Sequence, residues 1–169
     1  MKTKVLLLGL LIFLLHAFPV NAEEVHGAEE DPRVSGQIGF GAGNAGLTKV
    51  FSFTKSSEGF DLTFRFTHAS DKIVLSNNIV SEKAVLYGKR IQYSGDIVLV
   101  SIGLGVTNSS YKEFALSTGS AKSSTGIGLP IELKFVNDPR SRFGLSFIGN
   151  INNAKTFFAI VAGVRFGKL

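Results

Sequence analysis

From residue 34 onward apolar and polar side chains alternate with a period of two, the signature of strands with one oily face. Phe60, Leu62, Phe64 and Phe66 are interleaved with Asp61, Thr63, Arg65 and Thr67. Ile127, Leu129, Ile131, Leu133 and Phe135 alternate with Gly126, Gly128, Pro130, Glu132 and Lys134. Val98 to Val106 and Phe158 to Phe166 repeat the pattern. Each oily row spans about 9 to 11 residues, the length of a tilted transmembrane strand. Strands where alternation holds, and turns where Gly, Asn, Asp, Ser or Pro cluster, predict eight segments: 34–43, 46–55, 59–68, 82–93, 97–107, 125–136, 142–150 and 156–168. The two long connections, 69–81 and 108–124, then fall on one side of an up-and-down meander, and the turns on the other side are short. Short turns at one rim and longer loops at the other are the rule for outer-membrane barrels.

Alternation does not say which face is inside, because a soluble barrel turns its apolar face inward and a membrane barrel turns it to lipid. The polar faces combine Gly, Ser and Thr with Asp61, Arg65, Glu132, Lys134 and Arg165, a set suited to filling a narrow lumen with paired charges. No charge interrupts the apolar row in the four clearest strands. Both features favour lipid outside and ions within. Eight strands leave an interior only wide enough for side chains, so these five residues are expected to form a lumen polar network rather than line an open pore. Two lysines strain the pattern. Lys49 shares the side of Leu47, Phe51 and Phe53, close to a strand end, and one parity of strand 82–93 places Lys89 among Val85, Tyr87, Ile91 and Tyr93. A bulge near Gly88 would switch faces in that strand.

The N-terminus adds a location. Lys2 and Lys4 precede the apolar run Val5 to Leu15, and Val20-Asn21-Ala22 supplies compact residues at a cleavage point, as in a cleaved secretory signal peptide over 1–22. The run is too short to span a bilayer as a helix. Residues 23–33 form an acidic flexible leader with Glu23, Glu24, Glu29, Glu30 and Asp31, and 34–169 form the barrel domain. From Arg33 onward there are 16 basic and 8 acidic residues, scattered without a stripe or interleaved aromatics, so nucleic acid is not an expected partner. With 169 residues and no Cys, the chain suits one domain without disulfides, lipid anchor or thiolate metal site. Its three histidines are His16, His26 and His68, the first two outside the strands, and neither metal nor cofactor is expected.

Three motifs carry candidate chemistry. Gly41 to Gly46 has the spacing of a dinucleotide fingerprint, but a strand follows where a helix is required, so the glycines are read as turn and lumen residues. Ser52 and Lys55 match a penicillin-binding spacing, in a chain too small for that fold. His68, Ser70 and Asp71 gather a base, a nucleophile and a carboxylate at the outer end of the third strand and are the catalytic candidates, although a triad is defined by geometry and not by order.

Val85-Leu86-Tyr87-Gly88-Lys89, Ile102-Gly103-Leu104-Gly105-Val106, Ile127-Gly128-Leu129-Pro130-Ile131-Glu132, Phe147-Ile148-Gly149-Asn150-Ile151-Asn152 and Phe166-Gly167-Lys168-Leu169 together resemble small uncharacterised outer-membrane β-barrel proteins of Gram-negative bacteria. The resemblance, over about half of the chain, implies an exported, closed antiparallel barrel with outer-membrane residence and no established activity. The expectation is an all-β, eight-stranded antiparallel up-and-down transmembrane barrel after a cleaved signal peptide. Its partners would be outer-membrane lipid and the barrel assembly machinery, with a surface ligand reached through loops 69–81 and 108–124. A non-enzymatic role in surface contact or envelope integrity leads. The alternatives are a lipid A acyl hydrolase or transferase using His68 with Ser70, and a soluble lipocalin-like carrier of an apolar ligand.

Overall fold

The structure, a computed structural model, describes residues 33–57, 60–73, 76–93, 96–113, 122–136 and 142–167. The signal peptide and nearly all of the acidic leader lie outside these residues. Eight strands follow one another: β1 (Arg33–Gly43), β2 (Gly46–Ser57), β3 (Phe60–Ile73), β4 (Ser76–Tyr93), β5 (Asp96–Glu113), β6 (Lys122–Val136), β7 (Phe143–Asn152) and β8 (Phe157–Gly167). Each pairs antiparallel with its sequence neighbours, and β1 closes on β8 from Ser35↔Gly167 to Gly43↔Ala159. Closure leaves no free edge. The end where β1 starts and β8 finishes is called proximal below, the opposite end distal.

The stagger of the wall follows from the pairing. Successive partners run from Phe135 on β6 through Leu145, Ala162, Phe40, Lys49, His68, Ser81 and Asn108 to Thr125, which lies on β6 again, ten residues from the start. At about 3.3 Å per residue and 4.8 Å between strands, a shear of ten over eight strands tilts them by roughly 41° and sets a backbone radius of about 8 Å. Each residue then rises about 2.5 Å along the axis.

In a single-layer closed wall a buried side chain points inward and an exposed one outward. Thr63, Arg65 and Thr67 are buried on β3 while Phe64 and Phe66 are exposed, and on β8 Arg165 is buried between Val164 and Phe166, both exposed. Ile38, Phe40, Leu104, Val106, Ile127, Phe147, Phe158 and Ile160 are exposed likewise. The apolar rows therefore face out, and Gln37, Ser52, Thr54, Asp61, Glu82, Thr107, Glu132, Lys134 and Asn150 face in. This overturns the soluble lipocalin-like alternative, which needs an apolar interior around its ligand.

Four details depart from the sequence reading. Residues 69–81 are not a long loop: β3 runs to Ile73 and β4 starts at Ser76, because Ser70↔Ile79 and its neighbours continue the ladder. Residues 108–113 and 122–124 of the second expected loop are strand too, and 114–121 lie outside the described residues. No bulge interrupts β4, which pairs in one register with β5 from Ser76↔Glu113 to Tyr93↔Asp96, so Lys89 faces out as the simple parity places it. Finally, the interior is not wholly polar. Val50, Ala69, Val80, Ile148, Phe157, Ala159 and Val161 form a buried apolar cluster in its distal half, with Phe157 1% exposed. β7 and β8 carry apolar residues on both faces there, so alternation gave no contrast to read.

Candidate functional site: the polar lumen

The lumen is built by the inward positions of β1 to β8, and its charges sort into connected groups. Arg65, at mid-height on β3, reaches across the axis. Its Nε and Nη2 donate to Glu82 Oε1 of β4 at 3.0 and 2.8 Å. Its Nη1 donates to Ile131 O at 3.1 Å and Glu132 Oε2 at 3.4 Å on β6, and Nη2 also reaches Gly149 O of β7 at 3.3 Å. Arg65 is thus bonded to three other strands with 0% exposure. A guanidinium suits this position because it offers five donors in a rigid fork and keeps its charge.

The surrounding groups are satisfied in turn. Glu82 accepts from Thr67 Oγ1 at 3.2 Å and from Asn150 Nδ2. Asn150 also donates to Thr107 Oγ1 at 3.2 Å, tying β7 to β5. Lys134 Nζ stands 3.4 Å from Glu132 Oε1. Nearer the proximal end, Arg90 Nη2 donates to Asp61 Oδ1 at 2.9 Å and to Ser56 Oγ at 2.7 Å. Thr54 and Thr63 hydroxyls pair at 2.9 Å. Burial of Arg65, Glu82, Glu132 and Asp61 is tolerable because ion pairs and hydrogen bonds replace water around them.

Glycines make room at the distal end of this network. A Cβ on Gly128 would lie 2.0 Å from Asn150 Oδ1. At the first hairpin, Gly46 has φ of 96°, and a Cβ there would meet Ser70 O at 2.3 Å. The run Gly41 to Gly46 is therefore the strand end and tight turn between β1 and β2, with no helix after it. Asn44 in that turn closes the barrel at its distal rim: its side-chain oxygen accepts from Phe158 N at 2.9 Å while its own N donates to Phe158 O at 3.1 Å.

All five expected lumen residues, Asp61, Arg65, Glu132, Lys134 and Arg165, have buried inward side chains. The first four join ion pairs, and Arg165 has none among the described residues. Sequence reading missed Glu82, Arg90, Asn150 and Thr107. Glu82 and Arg90 share one parity of the strand with Ala84 and Leu86, and that uniform parity was the signal available. The catalytic candidates are not brought together. His68 and Ser70 face outward on β3, Asp71 shares the inward parity, and His68 Nδ1 lies 3.1 Å from Ser81 Oγ of β4. Among the described residues no three His, Cys, Asp or Glu side chains are grouped to hold a metal ion.

The arrangement can brace a barrel; its carboxylates are committed to cations and present no free base. No family model and no curated protein matches the chain. Solved structures do. The N-terminal β-barrel domain of Pseudomonas aeruginosa OprF is 15% identical with a TM-score of 0.57, covering 81% of this chain and 98% of that one. Neisserial surface protein A is 13% identical with a TM-score of 0.56, covering 81% of this chain and 95% of that one. Ail, the attachment invasion locus protein of Yersinia pestis, is 13% identical with a TM-score of 0.51, covering 81% of this chain and all of that one. With its closed eight-stranded wall, oily exterior and polar interior, the chain has the fold of the small outer-membrane β-barrels.

Proposed function

We propose that this protein is an integral outer-membrane β-barrel, exported by its signal peptide, non-enzymatic, and serving surface contact or envelope integrity. One observation carries the reading: the exterior presents rows of Phe, Leu, Ile and Val, while the buried charged groups lie inside, most of them in ion pairs. An outer belt of this kind is stable in acyl chains and aggregation-prone in water. The lysines fit the same picture. Lys49 and Lys83 face out toward the distal side, Lys55 and Lys89 toward the proximal side. Six residues separate the members of each pair along their strands, about 15 Å of axial height. Snorkelling of both ends toward the headgroups brings the span near the ~25 Å of an outer-membrane apolar band.

The surface role is supported by the extended wall. β4 and β5 are 18 residues each against 10 in β7, so the β4–β5 side is about 20 Å longer along the axis, with the larger share of the excess at the distal rim. Two structural neighbours, a neisserial surface protein and an attachment invasion locus protein, support the same reading.

The test is fractionation of cells expressing the full chain, with gel migration of heated and unheated samples. Recovery with the outer membrane, release only by detergent and a faster unheated band are expected; recovery in periplasm or medium without detergent overturns the reading. His68→Ala is expected to leave the lipid A mass spectrum unchanged, since His68, Ser70 and Asp71 do not converge. An altered acylation pattern would restore the enzyme reading.

A further inference from the structure

The described buried and half-buried charges that face the lumen along the strands do not balance. Arg65, Arg90, Lys134 and Arg165 stand against Asp61, Glu82 and Glu132, which leaves one cation in excess. Arg33 and Asp71, half-buried as Arg90 is, share the inward parity at the two mouths and add one charge of each sign, which leaves the excess unchanged. Arg65 and Lys134 engage Glu82 and Glu132, and Arg90 engages Asp61. The excess falls on Arg165, whose residue is 7% exposed.

Four of the five side-chain polar atoms buried without a hydrogen-bond partner among the described residues gather at the same place; the fifth, Ser146 Oγ, belongs to a residue outside it. Arg165 Nε and Nη1, Arg90 Nε and Gln37 Oε1 are buried without a hydrogen-bond partner. All three residues line one cavity of about 10 Å³ at the proximal end, together with Thr54, Asp61 and Lys134. Arginine cannot shed its proton at any ordinary pH, so this site cannot neutralise itself by titration. Asp61 does not supply the missing charge, because both its oxygens are held by Arg90 Nη2 at 2.9 and 3.2 Å.

We propose that this cavity is a binding site for a small monovalent anion of halide size, held by Arg165 Nε and Nη1 and Arg90 Nε. A space of this size takes roughly one water-sized guest, which excludes phosphate, sulfate and organic acids. Rotating the Gln37 amide by half a turn turns its NH2 toward the guest as a further donor. Water could accept from the arginines, but only an anion also cancels the excess charge. The proximal half of the barrel is thereby locked by an ion taken from solution.

The experiment is thermal unfolding of the refolded full-length barrel in neutral detergent, with sodium chloride replacing sodium gluconate at constant ionic strength. Chloride is expected to raise Tm in a saturable way, by roughly 3 to 6 °C once well above its Kd. Arg165→Met is expected to lose the chloride response, and Lys122→Gln at the exposed distal end to retain it. An equal Tm in the two salts, or an undiminished response in Arg165→Met, overturns the proposal. Should Arg165→Met fail to fold, chloride NMR on the unsubstituted barrel decides: saturable line broadening that bromide displaces supports the site, and broadening strictly linear in protein with no competition overturns it.

Discussion

Arg65 is the residue on which the most strands depend. Its replacement by Met removes bonds to Glu82, Glu132 and two backbone carbonyls, leaving the buried Glu82 carboxylate without a cation and Glu132 with Lys134 alone. Arg65→Met is expected to cost about 3 to 5 kcal/mol in urea unfolding from lipid vesicles. Adding Glu82→Gln, which removes the stranded charge, is expected to return part of that loss. Steric room is equally specific. Gly128→Ala drives a Cβ into Asn150 Oδ1 and is expected to cost about 1 to 3 kcal/mol, whereas Gly144→Ala meets nothing closer than 3.3 Å and is expected to change stability by less than about 0.5 kcal/mol. At this scale sequence alone located the charges of β3, β6 and β8, where each sits between two oily neighbours. It did not locate Glu82 and Arg90, because β4 carries Val85 and Leu86 on opposite faces and both parities look apolar. Nor could it pair the ions, since Arg65 meets Glu132 across the axis, 67 residues away along the chain.

Among the elements, strand number and order were legible because each oily row is bounded by turn-forming residues. The lengths of β3 and β4 were not. Asp71, Asn77 and Asn78 are turn formers by composition, yet the ladder carries Asp71↔Asn78 and Lys72↔Asn77 as strand pairs. Propensity yielded there to the neighbouring strand, for β5 extends the sheet beside them. Pro130 shows the same precedence. It sits inside β6 and lacks a donor, and the β5–β6 ladder passes from Ile102↔Ile131 to Gly105↔Gly128 across that level. The lipid face of an element should respond to depth. Phe64, near mid-belt on β3, and Val34, at the proximal rim on β1, are both exposed. Phe64→Lys is expected to cost about 2 to 4 kcal/mol and Val34→Lys about 0 to 1 kcal/mol in vesicle-inserted protein. Equal costs at both positions would show that the two sites lie in the same medium.

For the whole molecule, eight strands and a shear of ten fix a cylinder too narrow for an open channel. Arg65, Asn150 and Phe157 are almost wholly buried across it. The wall is cross-braced by Arg65 at mid-height and uneven at the distal rim, where β4 and β5 carry the chain beyond the shorter β7 and β8. Closure was readable from an even strand count, whereas of the two long connections expected on one side, 69–81 is mostly strand. The distal apolar cluster around Phe157 was not readable, because a membrane barrel is free to fill its interior with small oily groups wherever paired ions are not needed.

The inside-out arrangement can be read directly along β3. The chain has no Cys, so single cysteines introduced at Phe60, Leu62, Phe64 and Phe66, and at Thr63 and Thr67, each carry one nitroxide label. In barrels reconstituted into lipid vesicles, collision with dissolved oxygen, which concentrates in acyl chains, is expected to be high at the four apolar positions and low at the two threonines. A flat profile along the strand, or higher oxygen collision at Thr63 and Thr67, would contradict a wall with its oily face in lipid.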